Sequence, residues 1–309
     1  FIVASLFSGY LDRCRVSEQA RSVLMFGMFF TGILVGLLFP RGDIVLNYSL
    51  LSISKIALTE MEWIAYLAPP TLCVLLCASL LYLFLFRKEL QGYHPANQAE
   101  NSSVPLTMRE KGSLLLITAT VLLWAAEPLH GISGTVIVCL GTVLMFPAGL
   151  LRLQDLKVLD VNVLLFLTAA FSIGNVITES GLAGLLFQGF GELLPLVFSW
   201  RYALAVLLCT MGMHMVLGSN VTTLAVALPI LMTVSEGRTP ERIVPLLVYV
   251  AVSQHFLLPF HHVTLAAGVG KGYFNGSQVL RFGLPMTLLV LMGGVIVYLN
   301  WWNLLGILG

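Results

Sequence analysis

The sequence predicts an all-α integral membrane protein, and three features of the 309-residue chain lead to this prediction. Apolar residues make up 58% of the chain and charged residues only 10%, whereas soluble domains carry roughly 25% charged residues. The apolar residues gather in runs close to the length that crosses a bilayer, about 20 residues for a helix. The net charge is +1 and no basic face stands out, so we expect no nucleic-acid partner.

Helices are predicted for these runs because lipid leaves every backbone N–H and C=O group to be hydrogen-bonded internally. Two neighbouring runs, 202–217 and 221–234, are short for a full span, and only residues 218–220 separate them. Two short apolar helices joined by a polar tip predict a re-entrant hairpin, 202–234. The predicted apolar runs are 22–40, 63–86, 113–130, 133–151, 161–178, 202–217, 221–234, 243–260 and 283–308.

A polar interruption follows the run at 243–260. Pro259, His261 and His262 interrupt it, and apolar character returns at Val263. This pattern predicts a broken helix over 243–263. Irregular backbone at membrane depth is tolerated only where it is buried in protein or lines a cavity, so the interruption is a candidate for a binding site.

The two halves of the chain resemble each other. Aligning Pro69 with Pro285 places a polar interruption at 40–43 opposite the interruption at 259–262. Repeated halves with interrupted helices at matching positions are typical of secondary transporters, which bind substrate at the repeat interface. The prediction divides the chain into the end of a first repeat (1–86, with spans 22–40 and 63–86), a polar inter-repeat loop (87–112) and a second repeat (113–309, with the hairpin 202–234 and the broken helix 243–263).

The alignment of the two halves places Phe1 opposite a position just after Ser219 and Asn220 in the second repeat. We therefore expect the first-repeat counterpart of the hairpin tip to lie upstream of Phe1, and residues 1–309 alone to be inactive. Substrate accumulation by this segment alone would contradict the repeat alignment.

The tip of the predicted hairpin carries polar residues at the start of a helix. Ser219 and Asn220 are preferred N-cap residues, because their side-chain oxygens accept hydrogen bonds from free N–H groups. The positive end of the helix and its free N–H groups suit an anion. Side-chain and carbonyl oxygens at the same tip suit Na⁺. From spacing alone, a binding site and a purely structural cap are about equally supported.

Longer motifs connect this chain with a known family. The segments D-V-N-V-L-L-F-L-T-A-A-F-S-I-G-N-V-I-T-E-S-G-L-A (160–183) and G-S-N-V-T-T-L-A-V-A-L-P-I (218–230) resemble the divalent anion:Na⁺ symporter family of the ion transporter superfamily. The resemblance implies a homodimer built on two inverted repeats. It also implies transport, not catalysis, of a small anionic substrate (a dicarboxylate, citrate or sulfate) with Na⁺ by an elevator movement, without a further cofactor. We expect a multi-pass protein of the cell (inner) membrane.

The same resemblance implies roles for individual residues. Ser219 and Asn220 match the family's Ser-Asn-Thr motif, whereas Val221 occupies its Thr position, so that Thr222 has to supply the hydroxyl. The family's Thr-Pro-Pro-Asn loop falls on the segment that begins at His262, which departs from that pattern. The implied substrate ligands are Ser219, Asn220, Thr222, His262 and Val263, and the implied Na⁺ ligands are Ser219, Asn220 and the backbone carbonyl of His261.

Three other interpretations stay open. A proton-coupled or exchange transporter would use His261 and His262, because imidazole titrates near neutral pH. A membrane-embedded enzyme would use the same pair, although the sequence has no H-E-x-x-H pattern. A non-catalytic interaction module is the third. His214 and His255 are interpreted as ordinary core residues.

Overall fold

A computed structural model describes residues 2–95, 107–154 and 194–308, together with Val176 and Ser180. Apart from those last two residues, the predicted run 161–178 and the family motif at 160–183 lie outside the described residues. The same holds for residues 96–106 of the predicted inter-repeat loop.

The described part of the chain is almost entirely helical. Its two strands, Arg15–Val16 (β1) and Tyr93–His94 (β2), form one short antiparallel pair with Arg15 opposite His94. The α-helices are α1 (Ile2–Leu11), α2 (Glu18–Gly36), α3 (Ile44–Ser54), α4 (Glu60–Leu85), α5 (Arg87–Leu90), α6 (Met108–Ala125), α7 (Glu127–His130), α8 (Gly134–Met145), α9 (Trp200–Leu217), α10 (Asn220–Ser235), α11 (Ile243–Gln254), α12 (Val263–Gly270), α13 (Gly276–Met292) and α14 (Leu299–Leu304). A 3₁₀ turn covers Pro259–His261, and a π-helical segment, Gly293–Tyr298, joins α13 to α14.

Among the described residues, four helical stretches are long and apolar enough to cross a membrane. They are Glu18–Gly36, Glu60–Leu85, Trp200–Leu217 and Gly276–Leu304. The all-α membrane fold predicted from the sequence is therefore confirmed. Because Trp200–Leu217 has the length of a span, the re-entrant path of the hairpin stays a prediction.

Several predicted boundaries were wrong. The run 113–130 is divided between α6 and α7, and the run 133–151 contains only the 12-residue helix α8. The last helix begins at Gly276 and not at residue 283, because Asn275 and Gln278 form a capping box that starts it earlier. Hydropathy locates apolar runs but not the caps that end a helix.

The described residues fall into two compact units. One unit comprises Phe1–Ala96 and Phe166–Gly309, and the other comprises Asn97–Leu165. Helix α11 lies at the centre of the first unit, because every one of its residues is buried and it packs against both α9 and α10. This helix leads directly into the second break, where part of the site described below lies.

Two breaks interrupt the helices of this first unit. The first break, Leu37–Asp43, separates α2 from α3. The second break, His255–His262, separates α11 from α12 and contains the 3₁₀ turn. In each case a short helix and then a long, proline-containing helix follow, α3 and α4 after the first break and α12 and α13 after the second. This shared order is what the repeat alignment expects, and the inverted relation of the halves stays a prediction.

Candidate functional site

A tight turn at Gly218 joins α9 to α10. Gly218 has φ 72°, in the left-handed region, and its N–H donates to the carbonyl of His214 at 2.9 Å. Glycine adopts this conformation without strain. A Cβ atom at this position would lie 3.1 Å from the ring of Phe260, so the hairpin tip rests against the second break.

Ser219 occupies the N-cap position of α10, but its hydroxyl does not act as a cap. Its Oγ atom is buried and has no hydrogen-bond partner in the part of the chain that the structure describes. The Ser219 carbonyl, in contrast, accepts from both the backbone N–H of Thr223 at 2.8 Å and its Oγ1 at 2.7 Å. The turn is therefore stabilised by a backbone hydrogen bond and by the Thr223 hydroxyl, and the Ser219 hydroxyl takes no part in it.

Asn220 connects the tip to the second break. Its Oδ1 accepts the N–H of Val221 at 2.8 Å, and its Nδ2 donates to Nδ1 of His262 at 3.3 Å. Asn220 is 5% exposed and His262 is 2% exposed. The structure thus brings together two residues that the family resemblance places in one site, although 42 positions separate them in the chain.

The other residues implied by the resemblance differ from one another in burial and in hydrogen bonding. The His261 carbonyl, the implied Na⁺ ligand, accepts a long hydrogen bond from Nε2 of His214 at 3.4 Å. Val263 begins α12 and is 60% exposed. The half-buried Thr222 side chain makes no hydrogen bond with any described residue, and the hydroxyl that holds the tip belongs to Thr223.

Four histidines converge next to the tip, and all four are buried. Nδ1 of His214 on α9 lies 3.3 Å from Nδ1 of His255, the residue that ends α11. The rings of His214 and His261 stack with their centroids 4.4 Å apart. Sequence analysis interpreted His214 and His255 as core residues, and nothing in the sequence indicates that they face each other across two helices.

Unpaired polar atoms concentrate in this region. Of the five buried side-chain atoms without a hydrogen-bond partner in the described ranges, three belong to the tip and the adjoining break, and a fourth belongs to Gln254, the last residue of α11, whose Nε2 donates to the Tyr298 hydroxyl. Buried polar groups in proteins are nearly always paired, so such a concentration indicates a place for a ligand. The four atoms are Ser219 Oγ, Gln254 Oε1, His261 Nε2 and His262 Nε2.

A comparison with protein families identifies the scaffold. The family model of the sodium:sulfate symporter transmembrane region matches residues 21–308, which is nearly the whole chain. The chain belongs to this family. The resemblance to divalent anion:Na⁺ symporters, predicted from the Ser-Asn tip and its flanks, is therefore confirmed. A search of curated proteins finds no match.

Membership in this symporter family has three direct consequences. The protein is an integral membrane protein, it belongs with transporters and not with enzymes, and its family carries anions. The Ser219–Asn220 tip and the second break lie within the matched residues.

Proposed function

We propose that the protein is a Na⁺-coupled symporter of a small divalent anion, sulfate or a di- or tricarboxylate, in the cell (inner) membrane. We further propose that it works as a homodimer by an elevator movement. The observation that carries this proposal is the Ser219 hydroxyl at the start of α10, which is buried and has no partner among the described residues. Leaving such a group unpaired costs about 1–3 kcal/mol, which a bound ion would recover.

The oxygen atoms at the tip suit Na⁺. Hard cations prefer hydroxyl, amide and carbonyl oxygens, and the proposed ligands are Ser219 Oγ, Asn220 Oδ1 and the His261 carbonyl. Ser219 Oγ is free to bind at once, whereas the other two oxygens each accept one hydrogen bond within the protein. Each of those oxygens has a second lone pair, so each can bind a cation without losing its hydrogen bond.

The donors beside the tip suit an anion. The positive end of α10 points to this region, and helix N-termini favour negative charge. Because Nδ1 of His262 accepts from Asn220, the proton of the neutral ring lies on Nε2, a buried donor that no described acceptor meets at good geometry, although the Val252 backbone lies nearby. With Thr222 and the N–H of Val263, these groups form the proposed substrate site.

The test is uptake into proteoliposomes that contain the full-length protein. We expect an inward Na⁺ gradient to drive uptake of labelled sulfate or succinate, and the Asn220→Ala variant to lower it at least about tenfold, because it removes a Na⁺ ligand and the contact with His262. Asn300→Ala is the matched control, since Asn300 is exposed and lies on α14.

Two results would contradict the proposal. Uptake driven by a pH gradient and indifferent to Na⁺ would transfer the coupling role to protons and to His261 and His262. Absence of uptake of sulfate, succinate and citrate under every gradient would refute the proposed substrate class.

A further inference from the structure

The histidine cluster has the composition of a transition-metal site. One ring nitrogen each from His214, His255 and His261 lies within 4.8 Å of the other two, and the three residues are at most 1% exposed. This group contains no carboxylate among the described residues. Imidazole nitrogens suit Zn²⁺, Co²⁺, Ni²⁺ and Cu²⁺, whereas Mg²⁺ and Ca²⁺ prefer oxygen ligands.

The spacing of two of these ligands already fits tetrahedral coordination. Two nitrogens bound to Zn²⁺ at 2.0–2.1 Å with tetrahedral angles are about 3.3–3.4 Å apart. The Nδ1 atoms of His214 and His255 are 3.3 Å apart. Because His214 donates from its Nε2, the proton between the two Nδ1 atoms belongs to His255, and a metal ion would take its place as that proton moves to Nε2 of the neutral His255 ring.

The orientation of His214 also matches that of a metal ligand. Its Nε2 donates to the carbonyl of His261, which leaves the Nδ1 lone pair directed at His255. Histidine ligands in metalloproteins usually donate the opposite ring N–H to a carbonyl or carboxylate, and this fixes the tautomer. The supporting hydrogen bond is therefore in place before any metal binds.

Coordination by His261 requires a local change. Its Nδ1 now accepts the N–H of Leu257 at 3.2 Å, so the ring proton lies on Nε2. A metal bound at Nδ1 would take the place of this N–H and leave the Nε2 proton where it is. Leu257 lies in the irregular part of the second break, so its N–H takes no part in the hydrogen bonds of α11 or α12.

We infer that His214, His255 and His261 form a binding site for one divalent transition-metal ion of the zinc class. The three ligands come from α9, from the end of α11 and from the 3₁₀ turn. A bound ion would therefore tie the hairpin to the second break, with the fourth position left to water or an anion. This inference concerns metal binding alone and does not depend on Na⁺-driven transport.

Co²⁺ titration of the purified, EDTA-treated, full-length protein, without an affinity tag, tests the inference. We expect visible absorption that saturates at one Co²⁺ per chain, with displacement by Zn²⁺. His255→Gln and His261→Gln are expected to weaken the affinity for Co²⁺ at least tenfold. The matched control is His94→Gln, because His94 is exposed on β2 and lies outside the cluster.

Thermal unfolding is a second measurement of metal binding, and it can be used where a variant is poorly stable. An ion that binds only the folded protein raises its melting temperature, so Zn²⁺ should raise that of the wild type reversibly and leave that of His255→Gln unchanged. Absence of saturable Co²⁺ absorption in the wild type, or equal affinity in the wild type and His255→Gln, would overturn the inference. Sulfate uptake plays no part in either measurement, so a failure of the transport proposal is distinguishable from a failure of this one.

Discussion

Both α2 and α11 end within the buried part of the first unit, but the polar groups near the two helix ends differ in how completely they are hydrogen-bonded. At the first break the Asn47 amide on α3 donates to the carbonyls of Gly36, Phe39 and Pro40 at 3.1, 2.9 and 3.2 Å. Its Oδ1 in turn accepts from the hydroxyl of Tyr249 on α11. One buried side chain thus satisfies the end of a broken helix.

Two further features close the first break. The indole N–H of Trp63 donates to the Leu37 carbonyl at 3.0 Å. Gly42 lets the chain fold back tightly, because a Cβ atom there would lie 2.3 Å from the carbonyl oxygen of Gly36. Only glycine permits such an approach of two backbone segments.

The second break has no comparable arrangement among the described residues. Nitrogen atoms of His261 and His262 are buried there without partners in the described part of the chain, and so is the Ser219 hydroxyl at the adjoining tip. The difference shows how one architecture can serve two purposes. A break whose polar groups are all paired maintains the fold, whereas a break with unpaired groups retains binding capacity for a ligand.

The largest expected effect is on the stability of the first break. Asn47→Ala removes the donor to the carbonyls of Gly36 and Pro40 and leaves the buried Tyr249 hydroxyl without its partner, so we expect the free energy of unfolding to fall by about 3 kcal/mol. Urea titration in detergent micelles, followed by tryptophan fluorescence, measures this change. Asn300→Ala, which removes an exposed amide, should cost far less. Equal losses for the two variants would show that Asn47 does not hold the first break.

An intermediate effect, a loss of transport without a loss of stability, is expected at the second break. Ser219→Ala removes a buried hydroxyl that has no partner among the described residues, so the free energy of unfolding of the ion-free protein should not fall and should rise by up to about 1–3 kcal/mol. Anion uptake should fall about tenfold, because a ligand of the transported ion is lost. Ser79→Ala on α4 is the matched control and should leave uptake unchanged. Lowered stability with normal uptake would assign Ser219 a structural role.

The smallest effect is expected at an ion pair outside both breaks. Arg281 donates to Glu89 at 2.5 Å, and this hydrogen bond lowers the pKa of the Glu89 carboxyl below its ordinary value. The carboxylate is therefore stabilised in the folded state, and its contribution is present at neutral pH and lost as the pH falls through the lowered pKa. Both side chains are partly exposed, so Glu89→Gln should cost less than about 1 kcal/mol at neutral pH.

Measuring the free energy of unfolding at neutral pH and at about pH 3 checks this prediction, because a protonated Glu89 should behave like glutamine. Glu241→Gln serves as the control for an exposed carboxylate. A difference between wild type and Glu89→Gln that persists undiminished in acid would exclude the ion pair as its cause.

Much of the fold and part of the candidate site could be predicted from local sequence signals. Ser219, Asn220 and Pro259 marked the tip and the second break, because a polar pair or a proline interrupts an apolar run wherever it occurs. Helix α3 was missed, because the prediction ended the first half's helix at the interruption 40–43 and assigned nothing until residue 63. Thr222 was chosen because it follows Val221, which occupies the family's Thr position, and only the structure shows that the Thr223 hydroxyl turns back to the Ser219 carbonyl.

The sequence by itself determined the membrane class, the family, the approximate spans and the position of the tip. These follow from apolar content, run length and short motifs, which are properties of contiguous residues. Only the tertiary structure decided that Asn220 meets His262, that Asn47 closes the first break, and that His214 faces His255 across 41 positions of the chain. Such pairs depend on how α9, α10 and α11 pack, and a contact between distant residues leaves no periodic signal in either segment.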